Sequence, residues 1–333
     1  MIFGNAAGDH LIVLPALLAL TFLFPSRLSL VCMPKMRKTF YPGLRFRSVH
    51  EIEMRRRRKQ RVFNAERLAR EIGMCDLFLS LNPWRSISLD RLVALLSAPL
   101  SIGFSPAFDL AFSASPKQHA ADAAFRVPAC FDPALRLEDF ALRPRLPKSA
   151  KTRIRRFLQV AAPGKRILAV HNETKPDKTW PPGRLRDLVG AFLSSHSDFA
   201  VFILDFYKPK LNLAEFGRRV IHSPGLPLPD ALAVLGESDL FLGADSCMLH
   251  GADFFRVPGV GLFAPTDPRR WGFRFARHRH IRDRCGMKYI SESRVLQALE
   301  SLLSEAEACW DAPGAVLSQP PGKSGIRRVK AAQ

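Results

Sequence analysis

The sequence lacks the cysteine and metal-ligand patterns that stabilise small secreted proteins and zinc proteins. No two of its six cysteines have C-x-x-C spacing, and no cluster of metal ligands accompanies them. The cysteines are Cys32, Cys75, Cys130, Cys247, Cys285 and Cys309. This usage favours a reduced chain in the cytoplasm and predicts no metal site.

The sequence also lacks an apolar run long enough to span a membrane. The stretch 11–24 is apolar almost throughout, but crossing a bilayer takes about 20 residues. Asp9 and His10 precede it, where a signal peptide would carry basic residues. We therefore expect a buried helix of an α/β domain at this position.

Acidic residues are scarce relative to basic ones. The chain has 50 Lys and Arg against 30 Asp and Glu, a formal charge of +20 and a pI near 10.4. Such a charge attracts polyanions, whether nucleic acid, an anionic membrane surface or a phosphorylated substrate. A hydrophobic share of 47% over 333 residues is that of a folded chain with two domains.

Short apolar runs alternate with helix-like segments along both halves of the chain. The predicted strands are 28–32, 76–81, 100–104, 166–171, 200–205, 239–244 and 259–263. The predicted helices are 65–73, 89–96, 182–194, 229–236, 248–255 and 293–308. This order is typical of parallel sheets covered by helices on both faces.

A basic, proline-containing segment at 140–151 interrupts the alternation and predicts a linker. We therefore expect two doubly wound α/β domains, 1–145 and 146–310, which face a cleft. The remainder, 311–333, is rich in Pro, Gly and basic residues and predicts a disordered tail. Ligands of such domains bind beyond the carboxyl ends of the strands, so the loops that follow strands are the candidate sites.

The first candidate loop is GNAAGD at 4–9, which runs into the apolar helix. Small residues allow a tight turn, and Asp9 then stands at the expected helix start as its N-cap. The plain interpretation is a cap alone. The functional interpretation is a general base that faces the cleft, and a capping carboxylate can serve as both.

A second loop, HNETKPDKTW at 171–180, directly follows a predicted strand. Thr174 places a hydroxyl, and Lys175 and Lys178 place two cations, beyond the strand end. A cation held there can stabilise the negative charge of a departing diphosphate. Taken alone, the motif fits a solvated loop with ordinary surface lysines equally well.

A third motif, ADSCMLH at 244–250, joins a predicted strand to a predicted helix. The first N–H groups of such a helix are unpaired and favour an anion. The candidate anion-binding residues are Asp245, Ser246, Cys247 and His250, with Thr266 in the loop after the next strand. The alternative is an ordinary helix cap with a half-buried histidine.

The fourth motif is the basic run MRRRRKQR at 54–61, which contains Arg55, Arg56, Arg57 and Arg58. A run of this kind is usually a solvated or disordered face. No aromatic interleaving or nucleic-acid module accompanies it, so we do not expect a nucleic-acid partner. Beside a cleft, the four arginines can hold the phosphates of an acidic acceptor.

Together these motifs resemble the ADP-heptose:lipopolysaccharide heptosyltransferase family, glycosyltransferase family 9. The resemblance extends from the first residues to about Tyr289. It rests on Gly8-Asp9 before Pro15-Ala16-Leu17, on Thr174, Lys178, Trp180 and Pro181, on the turn 245–250, and on Ala264 to Pro268. Each motif is modest alone, but they stand in the order and at the spacing of the family.

The resemblance implies a GT-B-type fold of two Rossmann-like domains, with the acceptor on the N-terminal one and the nucleotide sugar on the C-terminal one. It implies transfer with inversion and without a metal or other cofactor. The donor would be ADP-heptose, and the acceptor an acidic glycolipid of the lipopolysaccharide type reached by peripheral contact with the inner membrane. Asp9 matches the base of the family, Lys178 its phosphate-binding lysine, and 245–250 its donor pyrophosphate site.

Three departures from the family pattern concern the donor site. Cys247 replaces a glycine, and its side chain can crowd the approach of the backbone to a phosphate. Glu173 places a negative charge where a hydroxyl residue is common. After the strand at 200–205 the chain reads FYKPKLNLAEF instead of a Gly-rich turn, so no ribose-binding residue is assigned.

Two other functions stay open on the sequence. A sugar-nucleotide epimerase on the same fold would leave the basic N-terminal face without a role. A degenerate family member would bind glycan or anionic membrane without catalysis. Glu173 and Cys247 favour the degenerate member, whereas the presence of Asp9, Lys178 and the 245–250 turn opposes it.

Overall fold

Parallel β-strands form the centre of the N-terminal half of the chain. The computed structural model describes residues 1–3, 7–57, 60–83, 86–113, 115–206 and 213–310, so the predicted tail at 311–333 lies outside the described residues. The strands of this half are β1 (Ile2–Phe3), β2 (Leu30–Cys32), β3 (Val49–Glu51), β4 (Arg55–Arg57), β5 (Gln60–Val62), β6 (Leu77–Leu79), β7 (Leu100–Gly103) and β8 (Leu110–Ala111). Strands β4 and β5 form a separate antiparallel hairpin.

A second parallel sheet forms the centre of the C-terminal half. Its strands are β9 (Arg166–His171), β10 (Phe199–Ile203), β11 (Val220–His222), β12 (Leu240–Ala244), β13 (Gly259–Phe263) and β14 (His278–Arg282). They lie in the order β11-β10-β9-β12-β13-β14. In the N-terminal half a parallel bridge from Ile2 to Ser80 joins β3-β2-β1 to β6-β7-β8.

Both halves therefore have the strand order of a Rossmann fold. When the strands of each half are numbered separately and the hairpin is left out, their order across the sheet is 3-2-1-4-5-6. Strands 1 to 3 are added toward one edge of the sheet and strands 4 to 6 toward the other, so the switch point lies between the first and fourth strands. That switch point lies between β1 and β6 in the N-terminal half and between β9 and β12 in the C-terminal half. Ligands of such sheets bind at the switch point, beyond the carboxyl ends of the strands.

Helices cover both faces of the two sheets. The helices of the N-terminal half are α1 (Ala7–Ile12), α2 (Leu14–Leu23), α3 (Met36–Phe40), α4 (Ala65–Ile72), α5 (Ile87–Leu96), α6 (Ala120–Ala129) and α7 (Leu137–Phe140). Those of the C-terminal half are α8 (Lys148–Ala161), α9 (Pro182–Ser195), α10 (Leu228–Gly236), α11 (Cys247–Phe255), α12 (Pro268–Trp271) and α13 (Glu292–Trp310). Short 3-10 turns occupy Pro176–Lys178, Ala214–Arg219 and Met287–Tyr289.

The two-domain α/β prediction is confirmed at the level of individual elements. Every strand and helix predicted above is present, with ends that shift by at most two residues. The apolar stretch at 11–24 is buried as expected, but it forms two helices. Because Pro15 has no N–H to donate to the carbonyl of Leu11, α1 ends and α2 begins at this point.

Two predictions of local structure were wrong. Helix α1 begins at Ala7, so Asp9 lies inside its first turn and is not its N-cap. The predicted linker 140–151 is shorter than expected, because α7 ends at Phe140 and α8 begins at Lys148. The boundary between domains 1–145 and 146–310 stays a prediction. None of the described helices is both long and apolar enough to cross a membrane.

One apolar core continues from the N-terminal half into the C-terminal half. Leu11 and Leu17, from α1 and α2, belong to the same buried cluster as Leu232 of α10 and Leu249 of α11. Polar contacts border this shared core. The guanidinium of Arg256, for example, donates to the carbonyl oxygen of Ala141 at 2.6 Å.

A close packing contact between the two halves lies at Gly8, in the first turn of α1. A Cβ atom on Gly8 would lie 3.1 Å from the Cα atom of Cys247 and 3.1 Å from the His250 ring. Only the missing side chain lets α1 pack this closely on the first turn of α11. The contact holds the carboxyl edges of the two sheets against each other.

We expect Gly8→Ala to lower the free energy of unfolding, because overpacking of the α1–α11 contact costs about 1–3 kcal/mol and outweighs the roughly 0.5–1 kcal/mol that alanine gains over glycine inside a helix. Urea denaturation of the whole chain measures the effect. The matched control is Gly183→Ala, at the second position of α9, where a Cβ would meet nothing within 4 Å. The control should be neutral or slightly stabilising, and equal losses in both variants would contradict the packing argument.

Candidate functional site

Strand β9 and the loop that follows it position Lys178. The Oδ1 atom of Asn172 accepts a hydrogen bond from the Trp180 backbone N–H at 2.9 Å, and its amide nitrogen donates to the Trp180 carbonyl at 2.7 Å. The Trp180 indole N–H donates to the Ile290 carbonyl at 3.0 Å. These bonds anchor both ends of the loop, so its 3-10 turn presents Lys178 at the carboxyl end of the sheet.

Lys178 is paired with a carboxylate from the neighbouring strand. Its Nζ atom lies 2.5 Å from Oδ2 of Asp245, which directly follows β12. The side chains are only 19% and 8% exposed, so the pair is largely shielded from water. The structure thus brings together, at the switch point of the C-terminal sheet, two residues that lie on separate sequence motifs.

The start of α11 adds unpaired hydrogen-bonding groups to this edge. Ser246 precedes the helix in an extended conformation, and its hydroxyl does not cap the helix. The buried hydroxyl oxygens of Ser246 and of Thr266, which follows β13, have no hydrogen-bond partner. Free N–H groups of the first turn and two unpaired hydroxyls make this edge suitable for an anion with several oxygens.

The two other residues of the third motif are uncharged at neutral pH. Burial lowers the pKa of the His250 imidazole to about 4, although the charge of Asp245, 3.9 Å away, acts in the opposite direction. Burial raises the pKa of the Cys247 thiol to about 12, and the carboxylate of Asp9 acts in the same direction. Both side chains therefore shape the site without adding charge to it.

Asp9 reaches this site from the other domain. It is half-buried in the first turn of α1, beside Gly8, whose backbone contacts Cys247 and His250. A carboxylate of the N-terminal domain thus lies beside the first turn of α11, close enough for its charge to act on the Cys247 thiol. The base candidate and the anion-site candidates, far apart in sequence, are neighbours in space.

Glu173 is directed toward the backbone rather than into an open site. Its carboxylate accepts a hydrogen bond from the backbone N–H of Phe206, just beyond β10. Asp205 accepts the backbone N–H groups of Asn172 and Glu173, each at 2.9 Å. Burial acts to raise the pKa of Asp205, but these bonds and the one from His171 hold it below its usual value. Thr174, the next residue, is half-buried at this edge.

The basic run does not join this cluster. Arg55, Arg56 and Arg57 form β4 of the hairpin, while Arg58 lies outside the described residues. The side chain of Arg55 is 83% exposed, with its guanidinium 3.9 Å from Glu53. The described part of the run is therefore a strand of a hairpin, and the exposure of Arg55 agrees with the usual expectation of a solvated face. It follows the carboxyl end of β3, so it emerges at the same edge of the sheet as Asp9.

Sequence reasoning missed several polar residues near this edge. Asn82 follows β6 at the switch point of the N-terminal sheet and is 6% exposed. Its place after a predicted strand was an available signal. The Nε2 atom of His119 lies 3.1 Å from the Gly272 carbonyl of the other half. No sequence signal pointed to His119, since this partner is distant in sequence. In the described ranges no group of three or more His, Cys, Asp or Glu is arranged to hold a metal ion.

The sequence model of glycosyltransferase family 9 (heptosyltransferase) matches residues 91–288. This range contains the Lys178 loop and the 245–250 turn but neither Asp9 nor the arginine hairpin. No curated protein matches the chain in sequence.

Solved structures with the same fold cover nearly the whole chain. A glycosyl transferase family 9 protein from Veillonella parvula is 19% identical, with 91% of this chain and 96% of that chain covered and a TM-score of 0.72. ADP-heptose lipopolysaccharide heptosyltransferase II of E. coli is 14% identical, with 92% and 98% covered and a TM-score of 0.66. The E. coli heptosyltransferase WaaC, solved with ADP, is 17% identical, with 90% and 98% covered and a TM-score of 0.63. The fold of this chain is thus the two-domain GT-B arrangement.

We expect Lys178→Met to lower the free energy of unfolding by about 2–4 kcal/mol, because the Asp245 carboxylate is left buried without its partner. Urea denaturation at pH 7 measures this loss. Lys175→Met, an exposed lysine of the same loop, is the matched control and should change stability by at most about 0.5 kcal/mol. The double variant Lys178→Met/Asp245→Leu should recover most of the loss. If the double variant is no more stable than Lys178→Met, the two side chains do not stabilise each other.

Proposed function

This chain belongs to glycosyltransferase family 9 and is a glycosyltransferase; we propose that it transfers heptose, with inversion and without a metal, from ADP-heptose to an acidic glycolipid of the lipopolysaccharide type. The observation that carries the proposal is the position of Asp9 beside the first turn of α11, where Lys178, Asp245 and two unpaired hydroxyls converge. In the proposed division, residues 1–145 bind the acceptor and residues 146–310 the donor.

The donor diphosphate is proposed to bind at the start of α11. Backbone N–H groups of the first turn and the positive end of the helix dipole favour its phosphates. The buried hydroxyls of Ser246 and Thr266 can donate to phosphate oxygens, and Lys178 supplies a cation that Asp245 holds in place. Support for the adenine nucleotide comes from related heptosyltransferases solved with ADP and with ADP-2-deoxy-2-fluoro heptose.

The proposed reaction is a single displacement at the anomeric carbon. The carboxylate of Asp9 takes the proton of an acceptor hydroxyl, whose oxygen forms the new bond to the anomeric carbon as the bond to the diphosphate breaks. ADP leaves with the bonding electrons. Its developing charge meets Lys178 and the α11 N-terminus, which stabilise it more in the transition state than in the ground state. In a single displacement the acceptor oxygen attacks the face of the anomeric carbon opposite the departing diphosphate, so the configuration is inverted.

The acceptor is proposed to lie along the carboxyl edge of the N-terminal sheet. The hairpin that contains Arg55, Arg56 and Arg57 follows β3, which lies two strands, or about 10 Å, from β1. Arginines on a hairpin at this edge of the sheet can pair with the phosphates and carboxylates of a glycolipid. The formal charge of +20 suits peripheral attachment to the inner membrane from the cytoplasmic side.

One observation favours a second candidate function, a family member that binds donor and glycan without transferring sugar. Cys247 stands where the family has glycine, and its backbone is already in contact with Gly8. A phosphate has less space beside such a residue than beside glycine. Retained ADP binding with no turnover in the wild-type chain would support this second candidate.

We expect Asp9→Asn to abolish transfer while ADP affinity is unchanged, because the base is lost and the phosphate site is not. A loss of turnover of roughly 100-fold or more is expected for removal of a general base. Lys178→Met is the contrasting variant and should raise the Kd for ADP roughly 10-fold or more, with little effect on adenosine. Turnover is measured with ADP-heptose and O-deacylated, heptose-free lipopolysaccharide. Near wild-type turnover of Asp9→Asn would remove Asp9 from the mechanism.

We expect replacement of Arg55, Arg56, Arg57 and Arg58 by Gln to raise the KM for acceptor and leave the KM for donor unchanged. Binding to vesicles that contain anionic lipid should weaken, since each basic residue near such a surface contributes on the order of 1 kcal/mol. The matched control changes the same amount of charge in an exposed segment: Arg143, Arg145, Lys148 and Lys151 to Gln. If the two quadruple variants change the acceptor KM and vesicle binding equally, then the net charge of the chain, and not the hairpin, determines acceptor and membrane binding.

A further inference from the structure

Buried side-chain oxygens without a hydrogen-bond partner indicate one more candidate ligand-binding residue in this molecule. Across the described residues there are three such oxygens: Asn82 Oδ1, Ser246 Oγ and Thr266 Oγ1. Each follows the carboxyl end of a parallel strand, β6, β12 and β13 respectively. Folded proteins pair nearly all of their buried polar atoms, and an unpaired oxygen beyond the carboxyl end of a strand stands where a ligand can supply the missing partner.

The backbone around Asn82 places it at the switch point of the N-terminal sheet. Ser80 pairs with Ile2 across the β6–β1 boundary, and the Leu81 N–H donates to the Ile2 carbonyl at 3.3 Å. The Asn82 N–H then donates to the Ser80 hydroxyl at 3.2 Å. Pro83 follows, which cannot continue a ladder of hydrogen bonds. The chain therefore leaves the sheet at Asn82, with the amide held at its carboxyl edge.

Asp9 leaves the same edge from the adjacent strand. Strands β1 and β6 lie side by side, about 4.8 Å apart, and α1 with Asp9 follows β1. Ser246 and Thr266, by contrast, belong to the C-terminal domain, where the donor site is proposed. Among the described residues of the N-terminal half, which carries the proposed base, Oδ1 of Asn82 is thus the one buried side-chain oxygen without a hydrogen-bond partner.

A second buried asparagine shows what a purely structural amide looks like in this fold. Asn172 is 7% exposed, nearly the same as the 6% of Asn82. Both ends of its amide are engaged, with the backbone N–H and carbonyl of Trp180. Burial alone therefore does not account for the unpaired oxygen of Asn82.

We propose that Asn82 binds the acceptor sugar, with its amide oxygen accepting a hydrogen bond from a ring hydroxyl and so orienting the hydroxyl that Asp9 deprotonates. The assignment rests on the proposed function. A neutral amide suits this place, because a second carboxylate beside Asp9 would add to the negative charge that an acidic acceptor meets. Recognition is then divided: the arginine hairpin meets the anionic groups of the acceptor, and Asn82 selects for a correctly placed hydroxyl.

The test compares Asn82→Leu with Asn172→Leu, two substitutions of similar shape at similarly buried amides. Asn82→Leu should leave the Tm unchanged or raise it, whereas Asn172→Leu should lower the Tm by on the order of 5 °C because it leaves two backbone groups of Trp180 unpaired. With ADP-heptose and O-deacylated, heptose-free lipopolysaccharide, Asn82→Leu should raise the acceptor KM roughly 10-fold, the loss expected for one hydrogen bond, with unchanged donor KM. Asn82→Ala provides the same kinetic comparison should the larger side chain prevent folding.

Each outcome decides a different point. A Tm loss in Asn82→Leu as large as in Asn172→Leu overturns the assignment, because the amide would then be structural. An unchanged acceptor KM, or a raised donor KM, with an active wild-type enzyme overturns the assignment but not the proposed function. A wild-type chain that binds ADP but does not glycosylate this acceptor overturns the proposed function, and the assignment with it.

Discussion

The contact of α1 with the first turn of α11 at Gly8 is the constraint on which the site depends. Each of these helices follows a central strand of its own sheet, so their contact sets the two switch points face to face. A Cβ atom at Gly8 would press on the backbone of Cys247, which cannot rotate away, so the helices would have to shift to make space for it. A residue with no chemistry of its own thus helps to set how far the proposed base of one half lies from the proposed anion site of the other.

The charges at this contact are few, although the chain as a whole is strongly basic. Lys178 is paired with Asp245, and neither His250 nor Cys247 is charged at neutral pH. Within this group, the positive potential available to a diphosphate therefore comes largely from backbone N–H groups, which are fixed in direction and need no reorganisation. The excess of Lys and Arg lies elsewhere, where it can act on larger anions at longer range.

Sequence patterns predicted the elements well where apolar runs were unmixed. The runs at Arg166–His171 and Gly259–Phe263 became β9 and β13 with the predicted ends. Helix α8 was not predicted from the sequence. It buries a single residue in each turn, Ala150, Ile154 and Leu158, and the rest of the segment is mostly polar or charged, so the apolar pattern is weak. Element order also placed the candidate loops at strand ends, which the structure confirms.

Side-chain roles were less accessible from the sequence, because they depend on partners that are distant along the chain. The sequence alone predicts that Glu173 is unfavourable beside a phosphate. In the structure its carboxylate accepts a hydrogen bond from the backbone N–H of Phe206. The pairing of Lys178 with Asp245 spans 67 positions, and spacing alone gives no sign of it.

The shared core also has a consequence for how the chain is made. Leu17 emerges from the ribosome long before Leu249, one of its partners in the buried cluster. At 5–20 residues per second, the 232 positions between them take on the order of 10–50 s to synthesise. During that interval α2 can pack on α6 and α7 of its own half, but α1 has no α11 to pack against. The apolar face of α1 therefore stays uncovered on that side during translation until α11 appears.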